Sequence, residues 1–178
     1  MPRPDRTDAI VTAAQELFIA HGYRGTTMQA IAQAAGVAKP TLYARFPDKQ
    51  TLLTVIGERV LDQARAGFAA ALAASGDPTQ RARAALVAKY RALESVLGDS
   101  PHAAELQQEF ARLAPGTLGE VHHLAQQTIT ALLTEAGVDA PAERAEVVLA
   151  AVDGLRERIT DQQKLVRLVE FTVDKLLT

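Results

Sequence analysis

Histidines and cysteines are the residues with which a chain most often binds metal or attacks a substrate, and here they exclude more than they offer. The 178 residues contain no cysteine, which removes disulfides, thiol nucleophiles and cysteine-built zinc sites. The four histidines are His21, His102, His122 and His123. Neighbours on a helix point about 100° apart, so His122 and His123 cannot close on one ion, and no histidine pair has the one-turn spacing that metal sites use. His122 has Gln126 one turn away, a pairing that suits a surface or a pocket wall better than a catalytic base. No nucleophile elbow and no glycine-rich phosphate loop is present. No metal and no cofactor is expected, and a small helical enzyme is the weaker reading. The donors with the most suggestive spacing are Lys39, Thr41 and Tyr43, in the stretch VAKPTLYARFPDK from Val37 to Lys49.

To face outward together those side chains need a frame, and every strong periodicity in the chain is helical. Ile10, Ala13, Ala14, Leu17 and Phe18 share one helix face, with Gly22 as the stop. Thr26 and Gln29 match a capping box, with Thr27 a competing cap, and open a short helix that carries Met28, Ile31 and Ala32 and ends at Gly36. A third helix begins near Lys39 and must end before Pro47. Three such helices, the last two joined through Gly36, have the layout of a helix-turn-helix. Gly36 is expected to let the two helices cross closely, helped by Ala30, Ala34 and Ala35. Ile31, Val37, Leu42 and Phe46 would then face the first helix, leaving Lys39, Thr41, Tyr43 and Ala44 outward, where they would enter a major groove. Pro40 suits the first turn of that helix, where its missing N–H has no partner to lose.

Downstream, Asp48 is the expected cap of a long helix over residues 49–74, roughly 39 Å at ~1.5 Å per residue and long enough to leave one domain and enter another. Asp77-Pro78 and Ser100-Pro101 start two more helices, Gly98 ends the first of them, and APGT at 114–117 breaks the chain before a helix that closes at Gly137. Val148, Val152, Leu155 and Ile159 form a stripe, and Thr160 with Gln163 can cap the final helix. That helix carries Leu165, Leu168, Val169, Phe171 and Val173 on more than one face, so a second face is predicted to meet a partner subunit. The predicted fold class is all-α, about nine helices. Hydrophobic residues make up 48% but never run for the ~20 positions of a membrane helix, and the start MPRPDRTDAI lacks a signal-peptide core, so a cytoplasmic location is expected. Residues 1–52 hold six basic against four acidic groups, whereas the rest holds thirteen against seventeen. Only the N-terminal part can offer phosphates a basic face.

The stretch GYRGTTMQAIAQAAGVAKPTLYARFPDKQTLL, Gly22 to Leu53, resembles the DNA-binding domain of TetR/AcrR-type transcriptional regulators. The resemblance covers residues 6–66, and beyond them only the layout matches. It implies a helix-turn-helix domain at 1–52 and a regulatory, ligand-binding and dimerisation domain at 53–178. It implies also a homodimer formed through the last two helices on a pseudo-palindromic double-stranded DNA operator, a small-molecule effector, and most simply a repressor released by that effector. Thr26, Thr27 and Met28 would open the second helix against a phosphate. Lys39 would reach a base edge, most simply guanine O6 and N7, and Thr41 and Tyr43 would contact groove or phosphate. Lys49 would pin the DNA backbone, and Arg3 and Arg6 would form an arm. Pro40 and Ala44 depart from the family pattern, Ala44 replacing a phosphate contact with a methyl group that suits thymine. The dimer face would comprise Val148, Val152, Leu155, Ile159, Leu165, Leu168, Val169 and Thr172. A pocket would be lined by Phe68, Tyr90, Leu93, Leu106, Phe110 and Leu124, with Gln107, His122 and Gln126 as polar anchors. An adaptor that uses the same fold without touching transcription is the alternative.

Overall fold

The computed structural model describes residues 6–97, 100–113, 115–159 and 162–176. Arg3, Gly98 and Thr160 lie outside the described residues, as do the side chains of Leu93 and Leu165. Nine helices and no strand occur among the described residues: α1 Arg6–Gly25, α2 Met28–Ala34, α3 Lys39–Arg45, α4 Lys49–Ala73, α5 Pro78–Leu97, α6 Ala103–Leu113, α7 Pro115–Glu135, α8 Pro141–Arg158 and α9 Gln162–Leu176. None of them is long and apolar enough to cross a membrane.

Turn chemistry sets the boundaries. Helical geometry in α1 breaks at Gly22 (φ 74°, ψ 165°), so the expected stop falls there and Tyr23 to Gly25 make a turn. At the end of α2, Gly36 adopts φ 65°. Its N–H reaches Gln33 O at 3.1 Å while Val37 N–H reaches Ala32 O at 3.0 Å, the paired bonds of a Schellman motif. The same pair closes α7, from Gly137 to Thr134 O and from Val138 to Leu133 O, each 3.1 Å. A Cβ on Gly36 would meet no atom within 4 Å. The glycine is therefore needed for its left-handed dihedral and not for the close helix crossing expected of it.

Ala38 is the N-cap of α3 and makes no side-chain cap, which puts Lys39 first and Pro40 second in the helix. Pro40 thus loses no intrahelical bond and its fixed φ matches the helix start. The helix ends in extended backbone at Phe46 (φ −132°, ψ 99°), as the following Pro47 demands. Asp48 Oδ1 then accepts Thr51 N–H at 2.8 Å and Thr51 Oγ1 at 2.9 Å. Those bonds cap α4 and hold the Asp48 carboxyl below its ordinary value.

The helices gather into two compact units, Met1–Gln63 with Arg91–Glu120, and Ala64–Tyr90 with Val121–Thr178. In the first, Ile10, Ala14 and Phe18 of α1, Ile31 of α2, Leu42 of α3, Leu52, Leu53 and Ile56 of α4 and Leu106 and Phe110 of α6 are all buried. α6 therefore shares a core with the helix-turn-helix, although it lies within 53–178 in chain order. In the second, Phe68, Leu86, Ile129, Leu132, Leu133, Leu149 and Val173 are buried. Val148 and Val152 join them at 0% exposure. The expectation that these two valines form the dimer face is corrected accordingly, because they have no surface left to give a partner. A stripe repeated every three to four residues shows that a helix face is covered, but not by which chain.

Candidate nucleic-acid interface

The first unit builds its outer surface on the turn between α1 and α2. Thr26 is 2% exposed, and its Oγ1 lies 3.0 Å from Leu17 O and 2.7 Å from Gly22 O, to which its single proton is donated. Thr26 closes the end of α1, so the sequence expectation that its hydroxyl faces a phosphate is corrected. Thr27 next to it is exposed and is the N-cap of α2, with Oγ1 accepting Ala30 N–H at 3.1 Å. Capping thus starts one residue later than the Thr26–Gln29 box implied. Gln29 is left free of helix capping and instead accepts Lys39 Nζ at 2.7 Å. Met28 is half-buried beside it.

Lys49 also turns inward. Its ammonium donates to Tyr23 O at 2.6 Å and Thr26 O at 2.8 Å, and sits 4.6 Å from the centroid of the Tyr23 ring. Burial pulls the Lys49 pKa below its ordinary value, while Glu105 and Glu109 pull it back up. Two of its three donors are occupied by the carbonyls of the turn. In the fold those two bonds hold that turn at the head of α4.

α6 clasps the same turn from the other side. Glu105 Oε1 accepts Arg24 N–H at 2.8 Å, and a Cβ on Gly22 would fall 2.4 Å from Glu105 Oε2. Glu109, 5% exposed, accepts Arg24 Nε and Nη2 at 3.3 and 3.2 Å on Oε1, and Arg112 Nε and Nη2 at 3.0 and 2.7 Å on Oε2. Hydrogen bonds from Arg112, and then from Arg24, hold its carboxyl below the ordinary value against the opposing effect of burial. A carboxyl with a depressed folded-state pKa adds stability above its unfolded pKa of about 4.3 and loses it as pH falls through the folded value. Glu109→Gln is therefore expected to show a shallower acid limb than the parent in urea titrations between about pH 6 and pH 3. Equal acid limbs would remove Glu109 from that role.

On α3, Leu42 at 0% and Phe46 at 4% exposure face the core. Lys39, Pro40 and Ala44 are exposed, Tyr43 is half-exposed at 50%, and Thr41 is partly covered. An ammonium, two hydroxyls and a methyl group thus line the outer side of one short helix. A helix about 10–12 Å across matches a major groove about 12 Å wide. Arg45 at the end of α3 bonds Thr7 Oγ1, and Arg59 pairs with Asp8, so the start of α1 is tied to α3 and α4. Arg6, the described half of the expected arm, is exposed.

The residues proposed for a ligand pocket fall in different places. Leu106 and Phe110 are core in the first unit, where Gln107 is exposed. In the second unit Phe68 and Leu124 line an open cleft of about 290 Å³ with Leu72, Ala131, Arg65 and Gln127. Tyr90 and His122 instead join a polar cluster. Lys89, 3% exposed, bonds both Asp153 oxygens at 2.9 and 2.8 Å, and Tyr90 OH donates to Asp153 Oδ1 at 3.1 Å. His122 Nδ1 lies 3.4 Å from Lys89 Nζ and 3.5 Å from Asp153 Oδ2. That nitrogen would have to accept from the lysine but donate to the carboxylate, so one tautomer serves one of them. The cluster braces α5, α7 and α8, and no periodicity in the sequence singles out Lys89 or Asp153. Gln126 is half-buried on α7. Of the remaining dimer-face residues, Leu155, Ile159, Leu168, Val169 and Thr172 keep part of their surface, and Thr172 Oγ1 donates to Leu168 O at 2.7 Å.

Residues 10–56, which span this whole frame from α1 into α4, match the profile of the bacterial regulatory proteins of the tetR family. That stretch is a TetR-family DNA-binding domain. The HTH-type transcriptional activator FasR of Mycolicibacterium smegmatis is 37% identical over 94 residues, 53% of this chain and 43% of FasR. The HTH-type transcriptional repressor ComR of Escherichia coli is 36% identical over 62 residues, 35% of this chain and 30% of ComR. The matched stretch spans less than half the length of either relative. The crystal structure of the TetR family regulator PfmR from Thermus thermophilus shares 25% identity and a TM-score of 0.69, over 94% of this chain and 96% of that one. FasR, ComR and PfmR are all named as transcriptional regulators.

Proposed function

We propose that the protein regulates transcription by binding a pseudo-palindromic DNA operator as a cytoplasmic homodimer, and that it is a repressor released by a small molecule. The observation that carries this reading is the outer side of α3, where Lys39, Thr41, Tyr43 and Ala44 stand on a helix anchored by Leu42 and Phe46. Thr27 caps α2 beside them, with its hydroxyl at the helix start where backbone N–H groups favour a phosphate. Two such surfaces related by a two-fold axis would read half-sites about 34 Å apart, one turn of DNA. Leu155, Ile159, Leu168, Val169 and Thr172, together with exposed Val147 and Phe171, supply the surface for dimerisation.

In this reading residues 1–52 contact DNA and 53–178 respond to the effector. The cleft of about 290 Å³ beside Phe68, Leu72 and Leu124 is the proposed effector site. At the lower end of ordinary ligand pockets, it suits a small and largely apolar molecule whose polar group meets Arg65 or Gln127. Release requires that the effector bind the DNA-incompetent state more tightly, since equal affinity for both states shifts nothing.

Enrichment of the purified protein's targets from a randomised DNA duplex pool tests the reading. A sequence with dyad symmetry is the expected product, and no enrichment would favour an adaptor. On the enriched duplex, Lys39→Ala is expected to weaken binding by about 1–3 kcal/mol and relax preference at one base pair of each half-site. An unchanged isotherm in fluorescence anisotropy would refute its role.

A further inference from the structure

Lys39 and Gln29 belong to different helices, yet Lys39 Nζ lies 2.7 Å from Gln29 Oε1 and both side chains are exposed. The contact is made on the side of α3 that carries the proposed groove residues. Gln29 is available for it because Thr27 performs the capping of α2 through Ala30 N–H. The backbones on either side are held by the Schellman bonds at Gly36 and by buried Ile31 and Leu42. The two side chains are thus presented from a fixed frame.

The chemistry of the pair decides what it can read. An ammonium donates and never accepts, so the carboxamide of Gln29 must turn its oxygen to Lys39 and its NH2 outward. A glutamine with its oxygen free would pair bidentately with adenine, accepting from N6 and donating to N7. With the oxygen occupied, that mode is closed. The pair then offers only donors, two N–H groups from the ammonium and two from the amide. Guanine presents two acceptors, O6 and N7, in the major groove, whereas adenine and cytosine each place an amino donor there.

We infer that Gln29 and Lys39 form a single reading unit for guanine, in which Gln29 is a positioning and specificity-determining residue. It rests on the operator-binding reading above. Gln29 narrows the directions open to a flexible four-carbon side chain before DNA arrives, which reduces the ordering that binding must impose. It also removes its own alternative preference for adenine.

The test uses the duplex enriched by the full-length protein and measures affinity for all four bases at each position. The proteins compared are wild type, Gln29→Ala, Lys39→Ala and the double variant. Gln29→Ala is expected to lower the preference for guanine about 5-fold at the same position that Lys39→Ala affects, a coupling ordinary for side chains in contact. In affinity for guanine the double variant should match Lys39→Ala alone, and it should lack the adenine pairing that the freed Gln29 oxygen gives Lys39→Ala. The salt dependence of Gln29→Ala should equal that of wild type, since no cation facing a phosphate is lost. Enrichment by the wild type with an unchanged Gln29→Ala profile, an effect at a different position, or additive losses in the double variant would overturn this inference while leaving the operator reading standing. No enrichment by the wild type would overturn both.

Discussion

Val147→Asp combined with Phe171→Asp is expected to leave the chain folded but monomeric, with operator affinity reduced at least about 100-fold, the scale on which linked binding exceeds single-site binding. Val147 on α8 and Phe171 on α9 are 51% and 62% exposed, large apolar side chains that the single chain leaves in water. Burying them against a second copy would stabilise the dimer by the area removed from water, and a carboxylate at either position would have to be desolvated there. In the monomer the same carboxylates stay solvated and disturb nothing. Sedimentation velocity reads the association state, circular dichroism the fold, and anisotropy the operator affinity. A variant that still sediments as a dimer would move the interface elsewhere. Val152→Asp is the contrasting variant, since a charge at 0% exposure disrupts the chain's own core instead of an interface.

Leu42→Ala is expected to lower stability by about 2–5 kcal/mol. A helix of seven residues has almost no stability of its own and persists only through the face that it buries. Leu42, at 0% exposure, is the deepest part of that face, with Phe46 beyond the helix end at 4%. Urea unfolding followed by circular dichroism checks the loss. Undocking α3 should weaken binding to every duplex alike, whereas Lys39→Ala should change which duplex is preferred. A Leu42→Ala protein with parental stability would show that α3 is held by something other than its core contact.

Much of this architecture is legible in the sequence because it depends on neighbours in the chain. Gly22, Gly36 and Gly137 stop helices through their own dihedrals, and Asp48 caps α4 through a residue three positions on. Pro40 and Pro47 bracket α3 for reasons internal to the backbone. The interior of the interface was less legible, because one residue of slip reverses a side chain's role. Thr26 and Thr27 are equally good caps on paper, yet one hydroxyl goes into the protein and the other to the helix start.

Contacts between distant residues carried no local signal at all. Lys49 reads as a cation at a helix head, and only the fold brings it to the carbonyls of Tyr23 and Thr26. Arg24 and Glu109 lie 85 residues apart in sequence. The pairing of Glu109 with Arg112, three residues on, follows helix spacing and was open to inspection. The apolar stripe of α8 was visible, but its direction was not. For the same reason Leu106 and Phe110, plausible for a pocket by type, turned out to join the core with α1 and α4.

FasR is named an activator and ComR a repressor, though both are similar to this chain. The claim on which the rest depends is that the outer side of α3 reads DNA twice, once from each subunit of a dimer. Hydroxyl-radical footprinting of the wild-type protein on its enriched duplex tests this most directly. The account predicts two protected patches related by a dyad, about 34 Å or a longer whole-turn spacing apart. A single patch, or no protection at any protein concentration that keeps the duplex soluble, would contradict it.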